Sequence, residues 1–323
     1  MDPVLLGVTS GDTNLSDGRK SDKDFDVVSW AQDQGKFDRE PLKKVAFKKR
    51  DGDRREYPTP DFPDAGPTIV VIPDAHAMPG TNPSRFDALG NALAEWKPDY
   101  LVDIGDAVDM PSLSSHGDVE GERYADDIAA GIDARERMLG PSRAYNKGLR
   151  KSKRIGFTLP GGSHYTLGNH EDRINRAIAD DPARLEGVIS TDDLRAEEYG
   201  FTVYPFGEVV TICGVSFSHF FSSGTMGRPV GGINHASSLV RTQLCSTVCG
   251  HAHTFDMAER VRIADGKRII GISCGCYFDF PMTWATEQVN RQYRRGILVL
   301  NDVCDGSFDI SWFSLDRMLR EFL

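Results

Sequence analysis

Five short segments, in order along the chain, carry side chains that bind divalent cations: Asp74-Ala-His76, Gly105-Asp106-Ala-Val-Asp109, Gly168-Asn169-His170-Glu171-Asp172, Ser218-His219 and Gly250-His251-Ala-His253. Each alone is weak, because Asp-x-His is common by chance and a single histidine is more often a hydrogen-bonded surface or core residue than a ligand. Taken as an ordered series they collect carboxylate, imidazole and amide carbonyl but no thiolate, a donor set suited to Mn²⁺, Fe²⁺ and Zn²⁺. A carboxylate can also bridge. Two ions about 3.5 to 4 Å apart that share an aspartate and a water turn that water into hydroxide and clamp the oxygens of a phosphoryl group under in-line attack. The expected chemistry is phosphoester hydrolysis. The glycines before Asp106, Asn169 and His251 are expected to take positive φ and turn the backbone sharply off a strand.

These segments need strand ends to hold them. Thr68–Pro73 reads as a buried strand, Ser84–Trp96 as a helix opened by a serine cap, and Tyr100–Gly105 as the next strand. A second helix is expected from Tyr124 to about Tyr145, and strands over Glu208–His219, Leu244–Gly250 and Arg268–Tyr277. A hairpin should follow from Gly296 to Leu315 across Asp305-Gly306. Strands with helices first and hairpins later imply two packed mixed sheets flanked by helices.

Residues 1–65 differ from the rest. They are polar, end in the proline-rich YPTPDFPDAGP, and read as an arm or small appendage to a domain over 66–323. Two basic clusters, Lys43–Arg55 and Arg150–Arg154, are the candidate contacts to a polyanion, set against a solvated-surface reading.

With 323 residues, 39% of them hydrophobic, the chain can bury its own core. Its net charge of −10 argues against a protein that coats nucleic acid nonspecifically, since that affinity comes from neutralising phosphates. No apolar run is long enough to span a bilayer and the N-terminus lacks a basic leader, so a cytoplasmic protein without a membrane partner is expected. The six cysteines read as buried free thiols, with no disulfide-linked partner. Cys274 with Cys276, or Cys245 with Cys249, lacks the repeated knuckles of a structural zinc site.

The ordered series resembles the calcineurin-like metallophosphoesterase superfamily, whose pattern is Asp-x-His, Gly-Asp-x-x-Asp, Gly-Asn-His-Asp/Glu, a later His, and Gly-His-x-His. The resemblance runs from about Pro67 to the C-terminus. It implies a four-layer α/β/β/α sandwich of two mixed sheets with a dinuclear metal site at the strand ends. Asp74, His76, Asp106 and His253 would hold one ion, and Asp106, Asn169, His219 and His251 the other. Mn²⁺ is the foremost candidate, with Fe, Zn, Ni or Mg as alternatives. The resemblance makes His170 the group that protonates the leaving oxygen or stabilises the attacked phosphate, and Asp109 its orienter.

Gly-Asp-x-Val-Asp and Gly-Asn-His-Glu are similar to protein serine/threonine phosphatases. Those enzymes, however, place arginines where this chain has Met110-Pro111 and Leu167. Without these clamps on a monoester dianion, the expected reaction is that of a phosphodiesterase or nuclease on nucleic acid or nucleotides. A phosphomonoesterase acting on a phosphoprotein or small molecule and a catalytically silent scaffold are the rival readings. The wider frame, with Gly-Asn-His-Glu-Asp-Arg173, resembles metallophosphoesterases carried by bacteriophages, which implies the host cytoplasm. Arg228, in the Gly- and Ser-rich stretch after His219, is the candidate substrate-binding residue. His116, His164 and His235 lie outside the series and read as surface or supporting residues. The aromatic run Tyr277-Phe278-Asp-Phe280 with Trp284 reads as packing rather than a base-stacking platform.

Overall fold

Strand and helix alternate through the first half of the fold: β1 (Ile69–Ile72), α1 (Ser84–Trp96), β2 (Tyr100–Asp103), α2 (Tyr124–Lys151), β3 (Gly162–Thr166), α3 (Asp172–Asp180) and β4 (Phe201–Tyr204). The second half is richer in strands: β5 (Val210–Ile212), β6 (Val215–Phe217), β7 (Ser222–Ser223), β8 (Arg228–Pro229), α4 (His235–Gln243), β9 (Ser246–Cys249), β10 (Phe255–Val261), β11 (Arg268–Cys274), β12 (Gly296–Cys304), β13 (Ser307–Ser314) and α5 (Leu315–Phe322). This computed structural model describes residues 65–114, 123–151, 159 and 161–323. The expected arm up to residue 64 with its Lys43–Arg55 cluster, His116, and the side chains of Arg150–Arg154 lie outside the described residues.

Two mixed sheets result. The first has the order β13-β12-β1-β2-β3-β4, with β1 to β4 parallel and β12 antiparallel to both of its neighbours. The second has the order β10-β11-β9-β6-β5, with β6, β9 and β11 parallel and the two outer strands antiparallel. Because side chains alternate along a strand, β1 and β12 each feed two apolar clusters. Val70, Ile72, Ile297 and Val299 join Leu89 and Leu93 of α1, Met138 of α2 and Met318 of α5. Ile69, Val71, Leu298 and Leu300 instead meet Phe217, Val248, Ile270 and Ile272 of the second sheet. A smaller cluster, Phe221, Val230, Leu239 and Cys249, includes residues of α4 and β9, and α4 also packs on β10 and β11.

Several local expectations are corrected. Ser84 is the first helical residue of α1 rather than its cap; Pro83 precedes it, and the Asn82 carboxamide oxygen accepts the Ser84 N–H at 3.0 Å. The run Glu208–His219 is two strands, because Cys213 (φ 49°) and Gly214 (φ 81°) make a tight left-handed turn between β5 and β6. Helix α2 continues to Lys151 with Pro141 inside it. The Gly296–Leu315 hairpin forms as expected about Asp305 and Gly306, both at positive φ. All six cysteines are free thiols, and among the described residues no helix is long and apolar enough to cross a membrane.

Candidate metal centre

The loops leaving the carboxyl ends of β1, β2, β3, β6 and β9 carry the five segments. Their backbone is unusual. Asp74 (φ 26°), His76 (44°), Asp106 (49°), His251 (66°) and His253 (58°) all sit in the left-handed region, which is disfavoured for residues with a Cβ and gathers at functional sites. The expectation that the preceding glycines absorb this turn holds only for Gly105 (φ 94°). Gly168 and Gly250 serve space instead. A Cβ on Gly168 would fall 2.2 Å from Asp106 Oδ1, and one on Gly250 the same 2.2 Å from Asp74 Oδ1.

Two clusters meet at Asp106. In one, His76, Asp106 and His253 bring a ligand atom each into one small volume; in the other, Asp106, His219 and His251 do so. His76 Nε2 stands 3.3 Å from His253 Nε2 and 3.9 Å from Asp106 Oδ2, and Asp74 Oδ2 is 3.3 Å from His253 Nε2. On the other side, His219 Nε2 lies 3.3 Å from Asp106 Oδ2, 2.9 Å from Asn169 Oδ1 and 3.2 Å from His251 Nδ1, while Asn169 Oδ1 is 2.8 Å from His251 Nδ1. All seven expected ligands are therefore brought together.

Hydrogen bonds at the far side of each ring fix which atom faces inward. His76 Nδ1 gives its proton to the Asp109 carboxylate at 2.6 Å, and His219 Nδ1 gives its proton to the Ile104 carbonyl at 3.0 Å. Both Nε2 atoms are thereby turned toward the centre. Asp106 is divided in the same way: Oδ1 accepts the His170 N–H at 2.9 Å, which leaves Oδ2 for the centre. Phe278 packs edge-on against both His76 and His253, with ring centroids 5.2 Å apart in each case.

Such converging groups can hold a cation. Asp74 is completely buried and neither of its carboxylate oxygens has a hydrogen-bond partner, although an isolated buried carboxylate is strongly unfavourable. Burial, with Asp106 beside it, pushes the Asp74 carboxyl well above its usual range against the pull of His219. Burial also pushes His76, His251 and His253 below the usual imidazole value, His251 to about 4, which keeps them in the neutral form that ligates metals. For His219 burial acts downward too, but the Asp106, Asp74 and Glu171 carboxylates outweigh it and raise the ring to about 10. A divalent ion among these groups would answer the orphaned Asp74 oxygens and replace the protons that Asp74 and His219 otherwise hold. The buried His/Asp groups have the chemistry to hold one.

His170 and Asp109 stand at the rim. The His170 Nδ1–H donates to the Asp109 carbonyl at 2.6 Å, with the Asp109 carboxylate 3.3 Å away, which leaves Nε2 at the mouth of the centre, 3.8 Å from Asp106 Oδ2. Asp109 thus orients two rings: His76 through its carboxylate and His170 chiefly through its backbone. Burial lowers the His170 ring, but Asp106 and Asp109 more than offset that and raise it overall.

Three residues without an assigned role in the sequence hold this arrangement. Glu171, fully buried, accepts the N–H groups of Asp106 (2.9 Å), Val108 (3.0 Å) and Gly168 (2.7 Å), binding the loop after β2 to the loop after β3. Arg85, also fully buried, donates to the carbonyls of Ala75 (3.2 Å) and His76 (3.3 Å). Arg176 donates to the Asn169 carbonyl at 2.5 Å. The one available signal was an acidic residue inside Gly-Asn-His-Glu with no chemistry attached to it.

The remaining candidates lie apart from this cluster. Arg228 is exposed in β8, and among the described residues it makes no hydrogen bond or ion pair with the nine site residues. His164 bonds the Tyr204 hydroxyl at 3.0 Å, between the rings of Tyr100 and Tyr204. His235 is buried beside Cys249, 3.6 Å from its sulfur. Tyr277 and Phe278 are packed inside, as expected, whereas Trp284 is 68% exposed. No protein-family model and no curated protein matches the chain, so function is read from this geometry.

Proposed function

We propose that the chain is a calcineurin-like phosphoesterase, a four-layer α/β/β/α sandwich whose strand ends hold a dinuclear metal centre, and that it hydrolyses phosphodiesters in nucleic acid or nucleotides. The observation that carries this reading is Asp106. Its Oδ1 is tethered to the His170 N–H, and its Oδ2 faces His76 on one side and His219 on the other. Two divalent ions held at such a centre would lower the pKa of a water and polarise the phosphoryl oxygens. Asp74, His76, Asp106 and His253 would hold one of them, and Asp106, Asn169, His219 and His251 the other.

The chain's own residues do the rest. Asp109 and the Ile104 carbonyl keep the His76 and His219 rings in the tautomer that turns Nε2 inward. His170, oriented by the Asp109 carbonyl, presents Nε2 to the substrate. As the oxygen of water bonds to phosphorus and the P–O ester bond breaks, that nitrogen gives its proton to the departing alcohol, and the water's own proton passes to solvent. A diester carries one non-bridging negative charge, which two bound ions would neutralise without the arginines missing at Met110-Pro111 and Leu167. A silent scaffold has no use for a buried, unpartnered Asp74.

The test is a panel of chromogenic diesters and monoesters, single- and double-stranded DNA, RNA, cyclic nucleotides and phosphopeptides, each with Mn²⁺. Diesters are expected to be turned over fastest. A preference for monoesters supports the phosphomonoesterase, and inactivity on every ester with metal bound supports the scaffold.

A further inference from the structure

Beside His170 the surface opens into a cleft of about 520 Å³. Asp109, His170 and Arg173 supply its charge, and Phe280, Met282 and Trp284 belong to its apolar wall. Arg173 is the member that the metal centre does not use. Its Nη1 donates to the carbonyls of Asp109 (2.8 Å) and Met110 (3.0 Å), and its Nη2 lies 3.3 Å from His170 Nε2. Among the described residues no carboxylate forms an ion pair with it. A partly buried guanidinium held by two carbonyls, lacking an anion and adjacent to the nitrogen that faces the ester, is a recognition group for a phosphate oxygen. It brings a cation to the rim from the first turn of α3.

The wall opposite is aromatic and is tied to the centre. Phe280 packs on Phe278 at 5.1 Å between ring centroids, and Phe278 in turn meets His76 at 5.2 Å. Trp284 extends this wall with its ring in solvent. An exposed indole beside a fixed cation is a surface on which a base stacks whatever its identity, and the cleft's volume suits a group of nucleoside size.

We propose that this cleft receives the nucleoside that departs when the ester bond breaks, with Arg173 on a phosphate oxygen and Trp284 against the base. The assignment rests on the phosphoesterase reading and names its leaving-group side, because His170, which protonates the leaving oxygen in that reading, lines the cleft.

Binding tests it without turnover. A nucleoside phosphonate, in which carbon replaces the ester oxygen so that nothing can be hydrolysed, is titrated calorimetrically into the Mn²⁺-loaded full chain beside methylphosphonate, which has the same anionic group. The nucleoside probe should bind roughly 5- to 100-fold tighter, and Trp284→Ala should remove that advantage. Arg173→Met should weaken both probes by roughly 10- to 100-fold while elemental analysis shows the metals retained. Equal affinity of the two probes in the wild type, or an advantage that survives Trp284→Ala, overturns the proposal; loss of metal in Arg173→Met overturns the role given to that arginine. If the probes behave as expected but no phosphoester is hydrolysed, the enzymatic reading fails and the cleft stands. If diesters are hydrolysed and the probes bind alike, the cleft alone fails.

Discussion

Phe217 and His219 are two residues apart at the end of β6 and both are completely buried, yet they sit in opposite surroundings. Phe217 belongs to the cluster between the sheets, where each neighbour is apolar and burial itself stabilises. His219 faces Asp74, Asp106, Asn169 and His251, a polar set in which the Asp74 oxygens have no hydrogen-bond partner. Burial therefore has two meanings at a strand end and in the loop that leaves it. The inter-sheet core is complete in itself, whereas the centre gathers buried His and Asp groups that could hold an ion.

The largest effect is expected at the rim of the centre, where acid-base work can be separated from ligation. His170→Ala should keep its metals and lose roughly 10²- to 10⁴-fold in turnover, the usual worth of a general acid. Asn169→Ala should instead weaken a metal. Substrates with a leaving group of low pKa need no protonation and should recover part of the loss in His170→Ala. Metal loss in that variant would show that the two roles are exchanged.

Stability separates the regions next. Phe217→Ala should cost about 3 to 5 kcal/mol in denaturant unfolding, and the same amount with Mn²⁺ as with chelator, because the inter-sheet core has no interest in the ion. Asp74→Asn should behave oppositely. In chelator it should cost little, because burial pushes the Asp74 carboxyl up toward the neutral form that the amide mimics, while in Mn²⁺ it diminishes the stabilisation that metal binding provides. A Phe217→Ala penalty that changes with metal, or an Asp74→Asn penalty as large in chelator as in Mn²⁺, would erase the distinction between the regions.

A smaller effect lies between them at Asp103, the last residue of β2. Burial, with Glu171 adding to it and Arg135 opposing, raises its carboxyl from the usual 3.8 to about 7. The folded chain then binds a proton that the unfolded chain has already released over this interval, so this group makes stability fall as pH rises from about 4 to 7 and contributes no further slope above that. Asp103→Asn should flatten the curve of unfolding free energy against pH between these limits, relative to wild type. Parallel curves for the two proteins would contradict it.

Much of the centre is legible from residue types because its ligands come in short local groups at strand ends, where apolar runs such as Ile69–Ile72 announce the strand and the polar residues after it announce the site. Period and length also identify α1 and the β12–β13 hairpin. β3 and β10 escape such reading: Gly162–Thr166 is short and half polar, and Phe255–Val261 is an edge strand with most of its side chains in contact with water. Glu171, Arg85 and Arg173 escape for another reason. Most of their partners are backbone groups, which carry no residue type, and Glu171 reaches Asp106 across 65 positions of chain. The positive φ of the ligands is likewise invisible in the sequence, since the neighbouring glycines point to a different residue as the one that turns.

The most direct measurement is elemental analysis of the wild type beside Asp106→Ala, with turnover measured on the same samples. Two divalent ions per chain are predicted in the wild type, because Asp106 Oδ2 faces both halves of the centre. Removing that carboxylate should lower the metal content and the turnover together. Two fully occupied metals in an active Asp106→Ala protein would contradict the account.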